Sequence, residues 1–127
     1  MSGRLSTVDG ERSLSAAQAL PEDGAVALAP VALRIAAIGG SAPDPYTMGL
    51  AGAAGCYNIG LLVRVSGRVG ERGSDWFVLD DGSGATSKVY SATVPPDGSF
   101  VGVTGVASLE SGARVIRARE AADVVVY

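Results

Sequence analysis

The chain has 127 residues, with ten basic and thirteen acidic side chains and a net charge of −3. This length suffices for one domain with its own hydrophobic core, and a hydrophobic content of 47% excludes a disordered chain. Proteins that bind nucleic acid mainly through its phosphates usually carry a basic excess, which this chain as a whole lacks.

The residue types that build the commonest catalytic and metal sites are missing. The sequence has no histidine and a single cysteine, Cys56. This excludes Ser-His-Asp and Cys-His catalysis, His-ligated zinc, cysteine metal clusters and a disulfide within the chain. We therefore expect no enzyme activity, no cofactor and no metal site.

The N-terminal part of the chain predicts an arm followed by a short helix. Residues 1–12 are polar and glycine-containing, which indicates a flexible or partner-anchored arm. The segment Ser13–Leu20 predicts a helix, because Ser13 is a good N-cap and Pro21 would end it.

The next segment, residues 25–38, is long and apolar and predicts a strand, so residues 13–38 form a helix-plus-strand unit. Pro30 cannot donate a ladder hydrogen bond and therefore indicates an edge strand or a bulge. Val31, Leu33 and Ile35 would share one face. Two interpretations stay open: this strand folds back on its own domain, or it pairs with a neighbouring subunit, which makes these three residues candidate assembly contacts.

Residues 39–57 are rich in Gly, Ala and Pro and have no periodicity, which indicates a functional loop or a tether. Its glycines are not followed by the Gly-Lys-Ser/Thr sequence of a phosphate-binding loop.

Residues 58–127 predict an all-β domain. Alternating apolar and polar residues predict strands at 59–70, 75–80, 86–94, 100–109, 113–118 and 123–127. Clusters of Gly, Ser, Asp and Pro separate these strands and are typical of tight turns. Short strands with regular turn signals favour a small barrel or sandwich over a parallel sheet with crossover helices.

Two stretches, NIGLLVRVSGRV and FVLDDGSG, resemble those of OB-fold domains, and in particular bacterial OB-fold modules often found in large, sometimes exported proteins of poorly defined function. The resemblance covers residues 13–127 and is firm for 58–127. It implies a small Greek-key barrel whose long strands bend at Gly67 and Gly105. It also implies that a Pro-Pro-Asp-Gly turn replaces the usual helix between the third and fourth barrel strands.

The ligand face of an OB-fold usually lies around its second and third strands. A surface that mixes aromatic rings with cations is suited to stacking the bases of single-stranded nucleic acid. The candidate residues are Arg64, Arg68, Trp76, Lys88, Tyr90, Arg117 and Arg119. The alternatives are that Trp76 packs for structural reasons and that Arg117 and Arg119 pair with nearby carboxylates, namely Glu110, Glu120 and Asp123.

Asp80 and Asp81 are adjacent carboxylates that suggest either a metal site or a turn. Adjacent strand residues point to opposite faces, and Asp-Asp-Gly-Ser-Gly is a favourable turn sequence. We interpret the pair as a turn.

These patterns leave two functional hypotheses. The first is a non-catalytic OB-fold module that self-associates into a homo-oligomer or polymer by strand addition through its N-terminal segment. The second is a single-stranded nucleic-acid-binding domain. No signal-peptide pattern or membrane-spanning run is present in the sequence, so we expect a cytoplasmic protein without a membrane partner, or an extracellular one if the chain is a fragment of an exported protein.

Overall fold

The fold is all-β and contains a closed five-stranded barrel, consistent with the predicted OB-like barrel. The structure is a computed structural model, and it describes residues 2–8, 11–18, 20, 23–24, 26–45, 47, 49–53 and 55–127. Within these residues, no helix is long and apolar enough to cross a bilayer.

Nine strands are present in the described part of the chain. They are β1 (Ser2–Val8), β2 (Glu11–Gln18), β3 (Val31–Ala32), β4 (Leu62–Arg72), β5 (Trp76–Asp80), β6 (Thr86–Tyr90), β7 (Phe100–Glu110), β8 (Ala113–Arg117) and β9 (Val124–Val126). Each of the six strands predicted after residue 58 is present, with ends that differ by a few residues, because their alternating patterns match one buried and one exposed face.

The barrel closes in the order β4, β5, β6, β8, β7 and back to β4. All of these pairs are antiparallel except β6 with β8, which is parallel. The closure depends on the length of β7. This strand pairs with β4 over residues 100–106, and along its other edge with β9 over 101–103 and with β8 over 106–110.

The barrel core consists of the inward-facing residues of these strands. Its fully buried side chains include Val63, Phe77, Leu79, Val89, Val101, Val103 and Ile116. Gly105 lies where β7 crosses β8, and a Cβ atom there would be 2.7 Å from the carbonyl oxygen of Arg117. The glycine predicted to mark a bend is therefore required by the close approach of two strands.

The predicted Pro-Pro-Asp-Gly turn lies in the irregular loop of residues 91–99, which connects β6 to β7. Pro95 is buried, and Val94 packs against the core. The described loop contains no helix, as the Pro-Pro-Asp-Gly sequence predicts.

The predicted N-terminal helix is wrong. Residues 11–18 form strand β2, which pairs with β1 in an antiparallel hairpin where Leu5 lies opposite Leu14. A helix of two turns has little stability of its own, whereas pairing with residues 2–8 satisfies the backbone groups on the facing edges of both segments. Residues 2–8, predicted as part of an arm, are thus a strand, while Ala19 and Pro21, the expected helix end, lie outside the described residues.

The predicted strand over residues 25–38 is also wrong in its extent; its first residue, Ala25, lies outside the described residues. Only Val31 and Ala32 form a strand, β3, which runs parallel to β4, and Ile35–Ala37 form one turn of 3-10 helix. The chain turns inward after β3 because Ile35 and Ile38 are fully buried in the barrel core.

This segment is held to the barrel by side chains from distant parts of the chain. Asp81 Oδ2 accepts a hydrogen bond of 2.7 Å from the Ile35 N–H, and Arg114 Nε donates one of 3.1 Å to the Ile38 carbonyl. The buried side chain of Asn58 accepts from the Gly39 N–H at 2.9 Å and donates to the Ala37 carbonyl at 2.7 Å. These bonds satisfy backbone groups that no strand partner reaches.

The loop of residues 39–57, predicted as a linker, folds back on itself at the described positions. The N–H of Ser41 donates to the Gly55 carbonyl, and the N–H of Leu50 donates to the Gly40 carbonyl. Leu50 is buried against Gly39, where a Cβ atom would be 2.7 Å from the Leu50 Cβ. The loop therefore returns to its starting point before β4 begins.

Replacing Ile35 with Ala tests whether residues 35–38 belong to the core. Removing a fully buried isoleucine side chain leaves a cavity, and we expect the free energy of unfolding in urea to fall by about 2–5 kcal/mol. Val31→Ala is the matched control, because Val31 is 47% exposed and its loss should cost less than about 1 kcal/mol. Equal effects of the two substitutions would contradict this assignment.

Candidate functional site

Four of the predicted site residues meet on the outer face of the barrel. We call this group the aromatic–cation cluster, formed by Trp76 on β5, Lys88 and Tyr90 on β6, and Arg117 on β8. Lys88 Nζ lies 4.7 Å from the centre of the Trp76 ring and 5.5 Å from that of Tyr90, and Arg117 Cζ lies 5.1 Å from the Tyr90 ring. These are distances at which a cation is attracted to an aromatic face.

The register of the strands explains this grouping. Trp76 lies opposite Tyr90, and Val78 lies opposite Lys88, so Lys88 is a diagonal neighbour of Trp76 on the same face. Tyr90 lies opposite Arg117 across the parallel β6–β8 pair. The alternation predicted for β5 is present, because Phe77 and Leu79 are fully buried and Trp76 is only partly so.

A carboxylate, that of Glu110 at the end of β7, adjoins the aromatic–cation cluster. Its Oε2 accepts a hydrogen bond of 2.8 Å from the Tyr90 hydroxyl, and its Oε1 lies 3.8 Å from Arg117 Nη2. The ion pair is about half exposed and contributes little to stability. Its consequence is electrostatic, since one of the two cations of the cluster already has a counterion.

Arg64 and Arg68 lie on β4 and have other partners. Arg64 Nη2 donates to the hydroxyl of Tyr127 at 3.2 Å, and Arg68 Nη1 donates to the Gly98 carbonyl at 3.2 Å. Arg68 also lines an open pocket of about 310 Å³ together with Phe100, whose ring centre lies 6.0 Å from that of Tyr127. The predicted set of basic residues is thus divided between two surfaces.

The side chain of Arg119 is bound to Asp123 by two hydrogen bonds, and the Arg119 backbone N–H donates a third. Its Nη2 lies 2.7 Å from Asp123 Oδ1, and its Nε lies 3.0 Å from Oδ2. The Arg119 side chain lowers the pKa of Asp123 below its ordinary value, although burial of the carboxyl opposes this. The expected pairing of Arg117 and Arg119 with nearby carboxylates is confirmed for Glu110 and Asp123.

The two aspartates after β5 serve the turn, as predicted. Asp80 Oδ1 accepts from the N–H of Gly82 at 2.8 Å, and Asp81 Oδ1 accepts from the N–H of Ser83 at 3.0 Å. No group of three or more potential metal-ligating His, Cys, Asp or Glu side chains occurs among the described residues.

A contact between the N-terminal hairpin and the barrel was not predicted from the sequence. Glu11 Oε2 accepts hydrogen bonds from Ser108 Oγ at 2.6 Å and from the Leu109 N–H at 3.2 Å. Arg117 Nε donates to the same Ser108 hydroxyl at 3.4 Å, so this contact adjoins the aromatic–cation cluster. Because the partners are about 97 residues apart, no local pattern could have identified them.

The barrel strands, together with β3 and β9, form one seven-stranded sheet, which we call the main sheet. An apolar groove lies beside β3, which is an edge strand of this sheet. Its volume is about 320 Å³. It is lined by Val31, Leu33, Ala37, Gly55, Cys56, Tyr57, Asn58 and Leu61. Of the three predicted assembly residues, Val31 is exposed, Leu33 is partly buried against the core and Ile35 is fully buried.

No protein-family model matches this chain, and no curated protein matches it in sequence.

Acid sensitivity tests the role of Asp81. Partial burial would raise the pKa of this carboxyl, but hydrogen bonds from Ser83 and from the Ile35 N–H outweigh burial and lower it. A lowered folded-state pKa stabilises the fold above the ordinary carboxyl pKa of about 3.9, and that stabilisation is lost as the pH falls through the folded-state value.

We therefore expect Asp81→Asn to be less stable than the parent chain at pH 7, with a difference that narrows below about pH 4. Urea unfolding at pH 7, 5 and 3 measures it. Asp80→Asn is the control at pH 7, because it removes the neighbouring charge without affecting the bond to Ile35. A difference for Asp81→Asn that stays constant from pH 7 to pH 3 would contradict this role.

Proposed function

We propose that this chain is a non-catalytic OB-fold module that associates with further copies of itself through residues 2–31. The observation that carries the proposal is the exposure of large apolar side chains in this part of the molecule. Among the described residues of this segment, the exposed large apolar side chains are those of Leu5 (61%), Val8 (57%), Leu14 (39%), Leu20 (89%), Val26 (89%), Leu28 (87%) and Val31 (47%). Concentrated apolar exposure of this kind favours an interaction surface.

The strand order supports the OB assignment. Four successive antiparallel pairings and one parallel pairing, between the third and fifth barrel strands, close the barrel. On the basis of the sequence resemblance, we further propose that the chain is a module of the kind found in large or exported bacterial proteins.

Unpaired strand edges in the same region favour strand addition. β1 and β2 form a separate two-stranded sheet, and β3 lies at the edge of the main sheet. An isolated hairpin is only marginally stable in water, so an added strand from another copy would extend a sheet that is incomplete by itself.

Of the three residues predicted as assembly contacts, we keep only the one whose side chain is exposed. Leu33 and Ile35 serve the core of their own barrel, whereas Val31 faces the apolar groove from the edge strand. The assembly surface that we propose therefore consists of Val31 and the exposed apolar residues that precede it.

Light scattering as a function of concentration tests this proposal. We expect oligomers for the full chain and a monomer for a shortened chain that begins at Pro30. The shortened chain keeps Ile35, Ile38 and their hydrogen bonds to the barrel, so it should stay folded. Near-ultraviolet circular dichroism of the single tryptophan, Trp76, controls for folding. A full chain that stays monomeric up to millimolar concentration would exclude self-association.

The aromatic–cation cluster favours a second candidate, binding of single-stranded nucleic acid. Trp76, Tyr90 and Lys88 lie together on the face of β5 and β6, where a base would stack on a ring beside a cation. Three features weigh against it: the net charge of −3, the Glu110 counterion of Arg117, and the pairing of Arg119 with Asp123. We therefore rank it second.

Titration with an oligonucleotide separates the two candidates. If bases stack on the cluster, dT15 at low salt should quench the fluorescence of Trp76, and Lys88→Gln should weaken binding about three- to tenfold. Arg64→Gln is the matched control, because it removes one cation from the other surface. If neither DNA nor RNA changes the fluorescence at low salt, this candidate is excluded.

A further inference from the structure

We propose that copies of this chain exchange their N-terminal hairpins, so that Glu11 of one copy occupies the site formed by Ser108 and Leu109 of the next. This inference rests on the proposed self-association and names its contact. The hairpin consists of β1 and β2, and we call its site on the barrel the hairpin receptor, formed by Ser108, Leu109 and Arg117.

The receptor is an open position at the end of a β-ladder. Ala107 is the last residue of β7 that bonds to the chain leading into β4: its N–H donates to the Leu61 carbonyl, and its carbonyl accepts from the Gly60 N–H. Backbone N–H groups two residues apart point to the same edge of a strand, so the N–H of Leu109 points towards that edge beyond the last rung. The Glu11 carboxylate accepts this N–H at 3.2 Å and takes the place of a strand partner.

The donors of the receptor are suited to a carboxylate. Ser108 is 3% exposed, and its hydroxyl donates to Glu11 at 2.6 Å while accepting from Arg117 Nε at 3.4 Å. The ligand therefore meets two donors, and a guanidinium lies one hydrogen bond further away. Val8, Ser13, Val106 and Leu109 complete a pocket of about 260 Å³ around this contact.

The chain between hairpin and barrel is long enough for exchange. Twelve residues, 19–30, connect β2 to β3 and would span about 40 Å when extended. The described members of this connection are exposed except for Pro30, which is partly buried. A hairpin on such a connection reaches the equivalent receptor of a neighbouring barrel.

Exchange preserves the hydrogen bonds of Glu11 and adds burial. Within one chain, Leu20, Val26 and Leu28 are each more than 85% exposed. When the connection crosses to a neighbour, it lies between two barrels, where these side chains lose contact with water. Domain swapping changes the free energy little by itself, because identical contacts are remade in the exchanged form. The additional burial of apolar side chains therefore makes the exchanged form the more stable one.

Cross-linking between two different single-cysteine chains tests the exchange. In a Cys56→Ser background, one chain carries Ser13→Cys and the other carries Val106→Cys, because these two residues line the pocket around the contact and their replacement leaves Glu11, Ser108 and Arg117 in place. The chains are unfolded together, refolded as a mixture and treated with a short bis-maleimide. We expect a covalent dimer on a denaturing gel from the mixture, and at least fivefold less from either chain alone, since only the mixture places the two cysteines together in different chains.

Two outcomes would overturn the exchange. One is oligomers by light scattering without a mixed cross-link, provided that a chain carrying both cysteines forms an internal cross-link. In that case self-association stands and its contact lies elsewhere. The other is a monomeric full chain, which removes self-association and exchange together.

A substitution without cysteine covers the case in which the cysteine variants do not fold. Glu11→Ala should raise the dissociation constant of the oligomer at least tenfold, because the Leu109 N–H and Ser108 hydroxyl lose their acceptor. Glu71→Ala, an exposed carboxylate of β4, is the matched control and should leave the constant unchanged. Equal dissociation constants for the two variants would overturn the exchange.

Discussion

The structure depends on the pairing of β7 with strands on both of its edges. One edge bonds to β4 and closes the barrel, while the other bonds to β8 and β9. Closure pairs the barrel strands with one another, so apart from the short end of β7 beyond Ala107 the unpaired strand edges of the described residues lie in β1, β2, β3 and β9, outside the barrel. Gly105 allows β7 to pass close to β8, and the closed interior follows from that approach.

Closure also determines the conformation of the N-terminal segment. Ile35 and Ile38 enter the core, and Asp81, Arg114 and Asn58 supply the hydrogen bonds that their backbone needs there. Residues after Val31 therefore belong to the barrel, whereas the exposed apolar residues before it do not. The same apolar segment thus serves two purposes, packing at one end and an uncovered surface at the other, and our proposal of self-association follows from this division.

The cations of the molecule are mostly engaged in its own structure. Arg114 binds backbone carbonyls of the segment at residues 36–38, Arg119 binds Asp123, and Arg117 contacts both Glu110 and Ser108. A side chain that already has a partner must exchange it to bind a phosphate, which lowers the gain from each new contact. This is the physical reason that we rank assembly above nucleic-acid binding.

The sequence by itself determined the six C-terminal strands, their turns and the grouping of Trp76 with Lys88 and Tyr90, because alternation along adjacent strands and short turns fix which residues share a face. It failed at residues 13–18 and 25–38, where short segments have weak local preferences. There the tertiary structure decided: pairing with residues 2–8 made β2 a strand, and burial of Ile35 in the barrel ended β3 after two residues. Contacts such as that of Glu11 with Ser108 join distant residues through the fold, and local sequence carries no signal for them.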